Sequence, residues 1–538
     1  MRKHKLNWIT GRKKTQPEVP YETPVWLGNL SNGEFFKEQG PRERKIRDEI
    51  LRRCDENARK KGMERREFMA STMGMATTLS VLNLAAGCGD DEGHLSRDTV
   101  DAHMKDVDAA AAEAAGASAG KAKSTTSGAK ASEGGFAVGA DMCLDEAMAD
   151  KLLRSKYFIL DFQTHHTNEG QAGLCLSMEN GGADCTSPST YIRQIFEESE
   201  TTVAVLSGLP AEIDEVTNDL KGPFAFTNED MRNSRDRVNK AAKLSDGAGE
   251  RMVAHCQISP KTKPEANARM MAENKEKYDT RGWKCYPPTE GGWFLHENDA
   301  FINTAIELKE PLVCVHKGFP FQGWSREHAN PMPDVGVVAK RYPDVNFVIY
   351  HSAFDSGHEE GPYVDDPNPD DGGSDRLSKV INDNGLKNKN VFAEMGSAWA
   401  IAMRDPIQAQ HYIGKMLKFM GEDRLVWGSE CVWFGCPQNQ IEAFKAFRIS
   451  EEFREKYGYP ELTDAVRRKV FGLTGAKLYR VDPELCRYQV TRDILASRKQ
   501  LLDDRWGARR HAYNPPVIRT RAQYIKLYRD RMARGEIG

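Results

Sequence analysis

Residues 157–166 read Tyr-Phe-Ile-Leu-Asp-Phe-Gln-Thr-His-His, an apolar run that turns polar at its carboxyl end. A strand alternates its side chains, so Asp161, Gln163 and His165 are expected on one face, with His165 and His166 on opposite faces. Seven further short apolar runs follow: 202–206, 252–258, 282–286, 312–315, 346–350, 390–394 and 424–427. They recur at intervals of roughly 25 to 50 residues, room for a helix and a loop in each, which is the alternation of a parallel α/β fold. Eight such units predict a closed (β/α)8 barrel, a TIM barrel, over residues 151–484. An open doubly wound sheet is the rival, and it is weaker because no GxGxxG follows the first strand and polar residues follow many strands, not one.

In a parallel barrel the carboxyl ends of all strands converge on one mouth. The fifth run ends Val315-His316-Lys317-Gly318, the sixth Tyr350-His351-Ser352 and the eighth Trp427-Gly428-Ser429-Glu430. Three histidines and a carboxylate thus arrive from four strands, a ligand set suited to zinc or a similar divalent ion. Asp161 is expected to bond within the barrel and His166 to be a core residue. Trp399, Trp433 and Phe434 are either walls for an apolar substrate or loop packing. Lys317 and Arg326 read as surface charge before they read as carboxylate anchors, and Glu394 is a weaker candidate for substrate contact.

These four motifs, in this order over about residues 155–480, resemble the amidohydrolase-related family, in the branch of aminocarboxymuconate-semialdehyde decarboxylase and related hydrolases. The resemblance implies that His165 and His316 bind a divalent metal ion, zinc first, that Glu430 completes the site, and that His351 is the acid/base group. Two positions depart from the family pattern. Gln163 stands where the first histidine of a pair is usual, and offers a neutral carbonyl oxygen, a poorer zinc ligand than imidazole. Glu430 stands where aspartate is usual; it keeps the charge and reaches one methylene farther. The implied function is a metal-dependent hydrolase using a metal-activated water. Non-oxidative decarboxylation of an aromatic or unsaturated acid is the alternative, and a tethered pseudoenzyme that serves as a binding protein is the reading from another class.

The 538 residues are 39% hydrophobic and 9% aromatic, with a mean hydropathy of −0.63, so polar segments dilute a globular core. The ends are basic: residues 1–66 carry 18 Lys+Arg against 10 Asp+Glu, and residues 485–538 carry 13 against 5. Neither end interleaves aromatics with its charges as a nucleic-acid module does, so a small-molecule partner is expected and a nucleic acid is not. Eleven cysteines without a paired CxxC spacing exclude a disulfide scaffold and a structural zinc module. Cys175 and Cys185 flank a Gly-rich loop, and either pair or remain free.

Arg65-Arg66-Glu67-Phe68 precedes an uncharged run over 70–87 and then Cys88, which resembles a twin-arginine export signal. An ordinary amphipathic helix is disfavoured because the run has no charged face. Ala85-Ala86-Gly87-Cys88 resembles a lipidation site, although Ala85 stands where Leu is usual. The expected layout is a basic pre-leader over 1–62, a signal over 63–88, a disordered Ala/Gly/Ser-rich linker over 89–150, the barrel, and a C-terminal helical extension over 485–538 that packs on the barrel or on another copy. Export to the periplasm, with or without a membrane tether through Cys88, follows from that layout, and a homo-oligomer is left open.

Overall fold

A computed structural model describes residues 23–25, 27, 39–87, 135–168, 186–209, 212–213, 220–221, 226–242, 250–260, 263–289, 291–320, 324–355, 357–490 and 493–506. The eight expected runs are all strands: β1 (Leu160–Thr164), β2 (Val203–Leu206), β3 (Met252–Ala254 and Cys256–Gln257, interrupted at His255), β4 (Trp283–Cys285), β5 (Leu312–His316), β6 (Asn346–Tyr350), β7 (Val391–Glu394) and β8 (Leu425–Val426). Neighbours pair in parallel in sequence order. Closure comes from β1 against the end of β8. Phe162 N donates to Trp427 O at 2.9 Å, Glu430 N to Gln163 O at 3.0 Å and His165 N to Cys431 O at 2.7 Å. The sheet therefore has no free edge between its first and last strands, and the expected (β/α)8 barrel is closed.

Two apolar layers follow from strand alternation. Leu312, Cys314, Val348, Tyr350, Phe392 and Val426 face the barrel interior together with Phe162 and Tyr479. Their neighbours Val313, Val315, Phe347, Ile349, Val391 and Leu425 face the surrounding helices. A register shift between Asp161 and Thr164 breaks the strict alternation expected of β1. Phe162 continues the inward row of Phe158 and Leu160 and packs on Tyr350 and Tyr479.

Where a pre-leader, signal and linker are expected, the described residues form helices packed on the barrel. Helix α1 (Pro41–Lys61) buries Ile46, Ile50, Cys54 and Ala58, one residue per turn along a single stripe, and ends at Gly62 with φ 65°. A short α2 (Arg65–Met69) leads into α3 (Thr72–Gly87), where Met73, Met75, Leu79, Val81 and Leu82 are all buried in the same cluster as the outer faces of the strands. A helix without a polar face is one enclosed on every side, and this accounts for the missing charges in 70–87. Thr72 Oγ1 donates to Asp150 at 2.6 Å, and Asn83 exchanges hydrogen bonds of 2.7 and 3.1 Å with the backbone of Phe136. Residues 135–150 are likewise folded, with Phe136 bridged to Phe447 and α4 (Glu146–Leu153) capped by Asp145. Cys88, Cys175, Cys185 and residues 88–134 lie outside the described residues. No helix among those described is long and apolar enough to cross a membrane, and the eight described cysteines are free and buried.

At the other end, the helix Thr474–Tyr479 lies close against β1, where a Cβ on Gly475 would stand 2.9 Å from Leu160. The helices Pro483–Val490 and Ile494–Trp506 continue the chain, held by a buried Arg251–Asp493 ion pair at 2.5 Å. Of the extension expected on the barrel or on another copy, the described part meets the barrel, where Lys499 Nζ donates to Glu197 O at 3.5 Å; Pro515-Pro516 lies outside the described residues.

Candidate active site

The carboxyl ends of β1, β5, β6, β7 and β8 bring their polar residues to one buried place. Glu430 is its hinge: Oε1 lies 3.4 Å from His165 Nε2, and Oε2 lies 3.4 Å from His351 Nδ1. His316 stands one ring farther out, its centroid 4.8 Å from that of His351. Gln163 Nε2 meets His165 Nε2 at 3.2 Å. Every one of these side chains is at most 2% exposed.

Backbone geometry lets them converge. Glu430, His351, Ser352 and Ala353 all have positive φ, between 52° and 59°, a conformation that costs non-glycine residues roughly 1–3 kcal/mol each and that clusters at functional sites. Two glycines allow close approach. A Cβ at Gly428 would fall 1.7 Å from Glu394 Oε1, and one at Gly396 would fall 2.7 Å from His351 Nδ1.

Burial sets the protonation pattern. It pulls His165 down to about 3, assisted by the Lys284 charge, and holds His316 and His351 well below their usual value, so all three imidazoles are neutral. His165 Nδ1 faces the Ser207 carbonyl at 2.9 Å, so the proton sits there and the Nε2 lone pair faces the site. Burial also lifts Glu430 to about 8 and Asp161 to about 7, and raises Glu394 well above the carboxylate range.

The donors suit a divalent cation in kind, and two pairs of them suit it in spacing. Two ligands of a tetrahedral ion with bonds of about 2.1 Å stand roughly 3.4 Å apart, which is the separation of Glu430 from both His165 and His351. Glu430 Oε2 and Gln163 Oε1 are buried with no hydrogen-bond partner among the described residues. They occur as pairs and not as a closed cage: among the described residues no three His, Cys, Asp or Glu are set to share an ion. His351, expected as an acid/base group, lies as close to Glu430 as the expected ligand His165 does, at 3.4 Å in each case.

Several other expectations resolve into packing. His166 bonds Ser234 Oγ at 2.6 Å between the rings of Tyr191 and Phe226. Asp161 accepts from Ser429 N at 3.0 Å. Trp399 donates to Gln440 O and packs on Phe444 and Phe447. Lys317 is no surface charge: it is fully buried in an ion pair with Asp334 at 2.9 Å. Trp433 does line the site, stacked on His165 with centroids 5.7 Å apart. Tyr286, Trp324 and Phe319 extend the aromatic wall around His316 and His351.

Sequence reasoning passed over one residue altogether. Lys284, central in the apolar run of β4, points inward and is fully buried. Its Nζ lies 3.2 Å from the ring centroid of Tyr350 and 4.8 Å from that of Tyr286, and burial pulls its ammonium down to about 8 against the opposing pull of Cys314, Glu430 and Glu394. A lysine alone among apolar strand residues was the available signal.

No curated protein matches the chain. Among solved structures, 5-carboxyvanillate decarboxylase from Novosphingobium aromaticivorans, complexed with manganese, is 12% identical at a TM-score of 0.38 and covers 60% of this chain and 96% of its own. 2,6-Dihydroxybenzoate decarboxylase from Rhizobium is 11% identical at 0.38, covering 60% and 99%. An amidohydrolase from Burkholderia multivorans with bound zinc is 12% identical at 0.38, covering 60% and 100%. Identities and scores this low say nothing of a shared substrate. The amidohydrolase family model matches residues 216–481, which carry β3 to β8 with Lys284, His316, His351, Glu394 and Glu430, so that this stretch is similar to amidohydrolases.

Proposed function

We propose that the chain is a metal-dependent carboxy-lyase that removes the carboxyl group of an aromatic or unsaturated acid without an oxidant. The observation that carries this reading is the Glu430–His351 pair at 3.4 Å, enclosed by aromatic rings and sealed from water. Neither nitrogen of His351 has a hydrogen-bond partner among the described residues, so the Glu430 carboxyl at 3.4 Å is the group placed to exchange a proton with it. Decarboxylation breaks the bond to the carboxyl carbon, releases carbon dioxide and leaves an electron pair on the substrate carbon. One proton from the pair then takes the place of the carboxyl group. The flat rings of Tyr286, Trp324 and Trp433 orient an unsaturated substrate and exclude water. If a divalent ion binds here, His165, His316 and Glu430, with Gln163 Oε1 as a further donor, would close around it, and it would supply positive charge to polarise a substrate oxygen.

Hydrolysis by an activated water is the second reading, because the same pair can accept a proton from water as readily as it gives one to carbon. Incubation with a panel of aromatic and unsaturated acids, esters, lactones and amides separates the two: the carboxy-lyase releases carbon dioxide from the acids and leaves the neutral compounds intact. Glu430→Gln should abolish turnover with little change in unfolding midpoint. Metal analysis decides against a pseudoenzyme: the proposal expects a stoichiometric divalent ion that is lost in His316→Ala, and metal-free protein of unchanged stability refutes it.

A further inference from the structure

Lys284 is a buried cation in the site without a hydrogen-bonded counter-ion among the described residues. An ammonium has three N–H donors and no acceptor, yet Nζ has no hydrogen-bond partner among the described residues. Its nearest compensation is the faces of Tyr350 and Tyr286, and ring faces satisfy a buried cation less well than an oxygen does. The carboxylates that might neutralise it are engaged elsewhere: Glu394 Oε2 accepts from His351 N at 2.9 Å, and Glu430 is set between His165 and His351. Position favours a ligand from above. Lys284 pairs in register with Cys314 on β5, two residues below His316, and Tyr350, whose ring it covers, immediately precedes His351. The amine therefore stands at the floor of the same mouth, beneath the histidines.

We infer that Lys284 is the anion anchor of the site, its ammonium donating hydrogen bonds to a carboxylate or ring-borne oxyanion of the substrate. This rests on the reading of the mouth as the active site and names its substrate class as anionic. The aromatic rings then grip the unsaturated body while Lys284 fixes one charged end, and the reacting carbon is held against Glu430 and His351. A charged floor also discriminates: an uncharged analogue of the same shape leaves the buried donors unsatisfied.

The test is binding, read by quenching of tryptophan fluorescence in the full chain, with benzoate and sorbate as probes and benzamide and sorbamide as their neutral counterparts. Wild-type protein should prefer each carboxylate. Lys284→Met should weaken carboxylate binding by about 10- to 100-fold, leave the amides within about twofold, and retain the wild-type metal content. Binding of benzoate and sorbate by Lys284→Met as tight as by the wild type, an equal loss for acids and amides, or no carboxylate binding by the wild type overturns the inference. If Lys284→Met does not fold, Lys284→Gln takes its place, and failure of both to fold makes the ammonium a structural counter-ion and overturns the inference as well. Lys284-dependent carboxylate binding without release of carbon dioxide would sustain the anchor while refuting the carboxy-lyase.

Discussion

Residues 63–88 have two readings that forecast opposite outcomes, a removable export signal and a helix of the fold, and Leu79 separates them. Leu79 lies near the middle of α3 and is 0% exposed, in one cluster with Met75, Leu82 and the outer faces of the barrel strands. Truncation to alanine leaves a cavity in packed surroundings, at a cost of about 2–5 kcal/mol. The spread reflects how far the surrounding side chains relax into the space. Ser80, the half-buried next residue, is the control, and Ser80→Ala should fall within about 0.5 kcal/mol of wild type. The assay is urea unfolding followed by tryptophan fluorescence on the full chain, comparing midpoints at equal slope. A companion chain starting at residue 89 should be insoluble or markedly less stable, because it strips the cover from the α4 side of the barrel. An unchanged midpoint in Leu79→Ala, with stable folding of the chain that starts at residue 89, refutes the packing argument and restores the signal. The amino terminus of the mature protein, read by mass spectrometry, adds an independent check, since a helix built into the core has to be retained.

Three further outcomes follow from the structure. Lys317→Met should destabilise the fold by about 3–5 kcal/mol, because it strands Asp334 in a fully buried site; adding Asp334→Leu should recover part of the loss, and denaturant midpoints measure both. Gly428→Ala should abolish turnover at a cost of about 1–3 kcal/mol in stability, since the new methyl would stand 1.7 Å from Glu394 Oε1 and push it out of place. Burial holds His166 neutral down to about 4 against an ordinary 6.5. Below 6.5 the unfolded chain takes up a proton that the folded chain refuses, so stability is intact above that pH and falls by about 3 kcal/mol on the way to pH 4; His166→Asn should flatten this part of the pH profile of the unfolding midpoint, and an unchanged slope would contradict it.

The barrel was legible because its strands are short apolar runs with polar ends, a pattern that survives without any tertiary information. The four site motifs were legible for the same reason: a residue one step past a barrel strand has little choice but the mouth. Misreadings occurred where a residue's partner lies far along the chain. Lys317 looked like surface charge because Asp334, which neutralises it 17 residues later, carries no local mark. The uncharged run over 70–87 stays open to both readings, because a signal and a helix enclosed by protein both lack a polar face, and its contacts with Phe136 and Asp150 lie more than 50 residues along the chain. Lys284 was missed for the converse reason, since an inward-facing lysine disrupts an apolar strand pattern by a single letter. That letter is costly: a cation placed where hydration is lost and no carboxylate closes on it lowers stability, and a site that retains such a cost has a use for the charge when something negative enters. The same reasoning applies to Glu430 and Glu394, lifted by burial and held 0–2% exposed beside neutral imidazoles. Acidic groups and an unsatisfied ammonium in one dry mouth are arranged for a ligand that brings both a negative charge and a need for a proton, and an unsaturated acid losing its carboxyl group brings both.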